Sequence, residues 1–143
     1  MDKKEMLLVD SYAAPFVQIV IEKNKSQLVF PIMDQILDLV EETQLTGFLT
    51  NIAVPTNKKV EILQSFLPTG SELVDNLLTV LIQNQREELL EAILKESLSR
   101  LEVETNLFEV ILESAYALSE EQLAALLPLV QEKMKIGVRT VRQ

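Results

Sequence analysis

Acid–base chemistry in this sequence can come only from carboxylates, because the chain contains no His and no Cys. Imidazole bases, thiolate nucleophiles and zinc sites built on nitrogen or sulfur are thereby excluded. The carboxylates offer three adjacent pairs, Glu41-Glu42, Glu87-Glu88 and Glu120-Glu121. All three fall in stretches of helical spacing, where neighbours point about 100° apart and do not converge on a substrate. They read as solvated helix surface. A di-metal carboxylate bundle would use Glu-x-x-His, which this composition forbids. Ser114, Ser119 and Tyr116 lack an imidazole to activate them. Gly47, Gly70 and Gly137 are the only glycines and lie far apart, so neighbours in sequence build no phosphate cradle. The expectation is a protein that is not an enzyme and that uses no metal or cofactor.

Charge narrows the partners. The 143 residues carry 13 basic and 22 acidic side chains, a formal charge of −9. Such a surface repels phosphate backbones and anionic lipid, so nucleic acid and direct membrane adhesion are disfavoured. The last residues run the other way: Lys133, Lys135, Arg139 and Arg142 face Glu132 alone between 131 and 143. We read them as a solvated edge that discourages aggregation. No apolar run approaches the ~18–20 residues needed to cross a bilayer. The opening Met1-Asp2-Lys3-Lys4-Glu5 does not lead into a signal peptide. The sequence thus predicts a soluble, unexported chain, stable without disulfides.

The elements that must position any site follow from periodicity. A hydrophobic content of 48% can supply a core. Met6, Val9, Ala13, Phe16 and Val20 mark one face of a first helix. Pro15 inside it predicts a kink or a late start. A second helix turns Val29, Met33, Ile36, Leu37 and Val40 inward, with Pro31 in its first turn. Phe48, Leu49 and Ile52 mark a short third. Thr56 is the expected N-cap of a fourth, whose stripe is Val60, Leu63, Phe66 and Leu67. Ser71 caps a fifth, and the joint "NQRE" at 84–87 leads to a sixth carrying Leu90, Ile93, Leu94, Leu98 and Leu101. Glu91–Lys95 and Glu96–Arg100 are i,i+4 pairs on its outer face. Six amphipathic helices with short joints predict a mainly α bundle.

The period then changes. Phe108, Val110 and Leu112 alternate with Glu109, Ile111 and Glu113, as in a strand. Ser119-Glu120-Glu121-Gln122 has the form of a capping box, opening a helix with Leu123, Leu126, Leu127 and Val130 on one face and a bend at Pro128. "KIGVRTV" at 135–141 alternates again. Strand, helix and strand predict a parallel crossover, an α/β unit that is incomplete on its own.

The fifth helix is unusually apolar. Leu73, Leu77 and Leu81 can form a core stripe while Val74, Leu78 and Ile82 extend it sideways. Either this is a central helix surrounded on all sides, or it walls a groove open to an amphipathic helix from another protein.

Three stretches carry a resemblance: "SYAAPFVQIVIEKN" at 11–24, "NQREELLEAI" at 84–93 and "FEVILESAYALSEEQLAALLPLVQEKM" at 108–134. In this order and spacing the chain resembles the delta subunits of bacterial F-type ATP synthases, akin to the mitochondrial oligomycin-sensitivity-conferring protein. The resemblance implies a six-helix bundle over 1–105 and a partial α/β domain over 106–143. It implies a non-catalytic stator subunit at the cytoplasmic face of the cell membrane, resisting rotation during proton-driven ATP synthesis. The bundle would hold N-terminal helices of alpha subunits, and the C-terminal part would meet the b subunits of the peripheral stalk. Carried over by position, Tyr12, Ala13 and Phe16 would line one side of the docking surface and Leu77, Leu78 and Leu81 the other. Asn84 and Arg86 match the family's joint, with a structural role in capping and bridging the fifth and sixth helices. The family continues through a Gly-Gly strand and a final helix, so we expect Gln143 to be an imposed or degradation boundary that weakens stalk binding. Leu78→Ala is expected to cut affinity for an alpha peptide more than about tenfold, ~1.4 kcal/mol, without unfolding the bundle. The alternatives are an unrelated cytosolic helical adaptor for an amphipathic partner helix and, third, a carboxylate hydrolase with convergent acids in a cleft.

Overall fold

A computed structural model describes residues 2–112 and 117–142. Glu113, Ser114 and Tyr116, with their part of the third matching stretch, lie outside the described residues. The chain divides into two compact units, Met1–Arg100 and Leu101–Gln143. Among the described residues it is mainly helical, with a two-stranded parallel sheet near its end.

In the first unit, Asp2 caps α1 (Lys3–Glu22) by accepting the Glu5 N–H at 2.8 Å. The helix neither starts late nor stops at Pro15. Pro15 is on the exposed side, where the carbonyl that loses its ladder partner faces water. Val9, Ala13, Phe16, Val17 and Val20 are buried, whereas Met6 is 54% exposed rather than inward. The positive φ of Asn24, 54°, ends α1, and α2 (Ser26–Glu42) follows. Starting at Ser26 puts Pro31 in the second turn, not the first. Phe30 joins the expected core residues of α2, and Leu37 is only half-buried.

Leu49 anchors α3 (Leu45–Thr50), but Ile52 lies beyond it and is 98% exposed. In α4 (Thr56–Ser65) the cap is Pro55, not Thr56: its carbonyl accepts the Lys58 N–H at 3.0 Å, and no side chain caps the helix. Leu63 is the one fully buried residue of α4, while Val60, Phe66 and Leu67 are half-buried. Ser71 does cap α5 (Glu72–Gln83), accepting the Val74 N–H at 3.3 Å. Gly70 just before it has φ 102°, a conformation that disfavours any Cβ.

A 3₁₀ turn (Glu87–Leu89) leads into α6 (Leu90–Thr105), whose Leu90, Ile93, Leu94 and Leu98 are buried as expected. Helix α5 packs against α1, α2 and α4. Its core stripe is Val74, Leu77, Leu78 and Leu81, the i, i+3, i+4, i+7 pattern of one face. Leu73 and Ile82 are half-buried and Val80 is 39% exposed, so the helix is not enclosed all round.

In the second unit, β1 (Leu107–Ile111) pairs in parallel with β2 (Gly137–Arg142), and α7 (Glu120–Met134) lies between them in sequence. The register slips between Phe108 and Glu109, leaving Arg139 as the extra residue of a bulge. Its Nε meets Glu102 Oε2 at 3.0 Å, and the same oxygen accepts the Glu109 N–H at 2.8 Å. The bulge thus turns a cation onto the carboxylate that also ties down β1. Where β2 begins, a Cβ on Gly137 would lie 2.5 Å from Leu107 Cδ2, so a larger residue there would push that leucine side chain aside. The capping box of α7 is complete: Ser119 Oγ accepts the Gln122 N–H at 3.2 Å and Gln122 Oε1 accepts the Ser119 N–H at 2.9 Å. No described residue of α7 is buried.

Candidate partner-binding site

The predicted chemistry-bearing pairs separate. Glu41, Glu42, Glu120 and Glu121 are exposed, as solvated helix surface should be. Glu87 departs from that reading: it is 2% exposed in the 3₁₀ turn, with Oε1 lacking a hydrogen-bond partner. Among the described residues no three acidic side chains gather as a metal site.

The six residues expected to bind a partner are brought together, but most of them as core. Ala13, Leu78 and Leu81 are fully buried, Phe16 and Leu77 nearly so, and Tyr12 is half-buried. These side chains fill the α1–α5 seam from within. What stays open is the rim. At about 100° per residue, Tyr12, Pro15 and Ile19 fall along one edge of the buried face of α1. Leu73, Val80 and Asn84 fall likewise along one edge of α5. Asn84 Nδ2 donates to Tyr12 Oη at 2.9 Å, which shows that these two edges adjoin. Ile19 and Val80 are 37% and 39% exposed on them. The seam is therefore a shallow furrow with a packed floor and an apolar rim.

Ile19 and Val80 were missed because each lies off the strongest stripe of its helix. The signal that could have found them is an apolar residue flanking an already complete core face. The joint also differs in detail. Asn84 is the C-cap of α5, in keeping with a capping role, while its side chain reaches Tyr12 of α1 rather than α6. Arg86 donates its N–H to the Leu81 carbonyl at 2.8 Å, and its own carbonyl accepts the Leu89 N–H at 3.0 Å, closing the turn into α6.

The opposite flank of α1 is polar. Arg100 pairs with Glu96 on its own helix and with Asp10 of α1, both at 2.8 Å. Lys95 pairs with Glu91 at 3.0 Å and with Glu41 of α2 at 3.6 Å. Glu91 Oε2 also accepts from the Thr46 hydroxyl at 2.5 Å. That bond, then Lys95, holds the Glu91 carboxyl below its ordinary value. The Lys95 ammonium is pushed up, chiefly by Glu91.

The fold and the seam define a class, a helical protein with exposed apolar residues along the edges of two packed helices. Comparison with known proteins supplies the particular kind. Residues 8–142 match the family described as ATP synthase delta (OSCP) subunit. ATP synthase subunit delta of Streptococcus gordonii is 46% identical over all 143 residues, covering 80% of that relative. The same subunit of Streptococcus pneumoniae is 41% identical over the same span, again 80% of its length. In solved structures, a chain of the Toxoplasma gondii mitochondrial ATP synthase hexamer shares the fold with a TM-score of 0.62 at 18% identity, over 95% of this chain and 78% of that one. The chain belongs to the ATP synthase delta (OSCP) subunit family. It is a non-catalytic, stator-linking subunit of the ATP synthase complex, which replaces both the adaptor and the hydrolase readings. No helix among the described residues is long and apolar enough to cross a membrane.

Proposed function

We propose that the α1–α5 furrow receives the N-terminal helix of an ATP synthase alpha subunit, within a six-helix, head-facing domain over 1–105. The segment 106–143 faces the b subunits of the peripheral stalk, at the cytoplasmic side of the membrane. The observation that carries the reading is the adjoining rim: Tyr12 and Ile19 on α1, Val80 and Asn84 on α5, with Asn84 bonded to Tyr12. An amphipathic helix laid along it covers Ile19 and Val80 and finds the floor already packed, so docking needs no rearrangement of the bundle. On the second unit, α7 offers Leu126, Leu129 and Met134, which are 38%, 62% and 65% exposed, as apolar contacts for the stalk.

Burial moves the decisive substitution. Leu78→Ala would open a cavity and cost about 2–5 kcal/mol of stability, so it cannot separate binding from folding. The exposed rim can. Titration calorimetry with a peptide of an alpha-subunit N-terminal helix should show Ile19→Asp/Val80→Asp losing more than about tenfold in affinity, ~1.4 kcal/mol, with an unchanged melting temperature. Retained affinity in that folded variant overturns the furrow as the site.

A further inference from the structure

The first turns of α1 border a cleft of about 550 Å³ between α1, α3 and the start of α6. Its volume lies in the range of true binding sites. Met6, Val9, Leu89 and Ala92 form an apolar floor, and Glu5, Asp10, Glu88, Glu91 and Glu96 line it as well. Lys95 is the only cation in the lining, and it is engaged by Glu91 and Glu41. Asp10 and Glu96 are matched by Arg100, whereas Glu5 and Glu88 have no ion pair among the described residues. Met6 at the floor is 54% exposed, and its neighbour Leu7 is 61% exposed, so apolar surface continues out of the cleft.

We propose that this cleft is a second docking site, taking a basic amphipathic helix from a partner protein. Charge complementarity selects the occupant. An apolar side chain enters between Met6 and Ala92, while Lys or Arg residues flanking it meet the unpaired Glu5 and Glu88. A purely apolar helix leaves those carboxylates desolvated without partners, and an acidic one is repelled. Glu5 shares the α1 stripe of Tyr12 and Ile19 but lies about two turns before Tyr12, whereas Met6 and Asp10 sit on the other flank, so the cleft variants and Ile19→Asp/Val80→Asp change different residues.

Fluorescence anisotropy with a labelled Leu/Lys peptide of helical spacing, and with its Lys→Gln counterpart, tests the proposal on the whole chain. The Lys peptide should bind and the Gln peptide should not. Glu5→Gln/Glu88→Gln should weaken binding about fivefold. Ala92→Phe, which fills the floor, should weaken it too. Glu42→Gln/Glu61→Gln, exposed carboxylates outside the cleft, should change nothing. Equal weakening by both glutamine pairs would reveal diffuse attraction to an acidic protein and overturn the site. So would binding that survives Glu5→Gln/Glu88→Gln, or binding lost in Ile19→Asp/Val80→Asp but not in the cleft variants. Melting curves confirm that Ala92→Phe is folded, and the surface glutamine pairs carry the test if it is not.

Discussion

Lys95 and Arg100 show how single residues fasten this molecule. Each satisfies an i,i+4 carboxylate on α6 and reaches a second acid on another helix, Glu41 or Asp10. Exposed pairs of this kind contribute little apiece, but sharing a cation between helices fixes the distance between them. Glu91 is the better-held acid, since the Thr46 hydroxyl and Lys95 both bond its ionised form. Its folded-state pKa is lowered, so its contribution is present above its unfolded value and is lost as pH falls through the folded one. Urea melts of the wild type and Glu91→Gln should therefore differ most at neutral pH. The gap should shrink from about pH 5 downward. A gap that widens on acidification would contradict the assignment of that carboxylate as an ionised acceptor. Glu91–Lys95 was legible in sequence because the spacing alone makes it. The Thr46 and Glu41 contacts were not, since they join residues far apart in the chain.

Helices here were read most accurately where start signal and stripe are both local. The Ser71 and Ser119 caps and the face of α6 appear as expected, because each depends on residues within a turn or two. Thr56 misled because Pro55, already extended at ψ 145°, offers its carbonyl one residue earlier. The late start allowed for at Pro15 does not occur, because a proline on the wet face of a helix packed along its other side is tolerated. The capping box of α7 has unusual weight, as that helix buries none of its described residues. Ser119→Ala should destabilise the second unit by about 1 kcal/mol, seen as faster amide exchange through the first turns of α7. Unaltered exchange there would mean that packing, not the cap, holds the helix.

The whole chain combines two units of very different solidity. Met1–Arg100 has a continuous core drawn from all its helices, while Leu101–Gln143 rests on a two-stranded sheet and a helix with no buried residue among those described. Native-state hydrogen exchange should find the slowest amides in α2, α5 and α6 and much faster ones in α7 and β2. Comparable protection in both would contradict this picture. A stator link makes and breaks no bonds, so its requirement is rigidity under load. The close-packed core of the first unit suits it, and under the docking proposed above the packed α1–α5 floor would pass force on with little give.

Taken alone, the sequence determined the lack of imidazole and thiol groups, the helical class, the late change to strand and helix, and the family. Each of these lies in composition, in a period of 3.6 or 2, or in motifs of adjacent residues. Only the tertiary structure decided which apolar residues are floor and which are rim. Leu78 and Val80 are two residues apart, equally apolar and on one helix. Which of them meets water depends on where α1, α2 and α4 lie against α5, and an apolar face this broad leaves more than one stripe open until they pack.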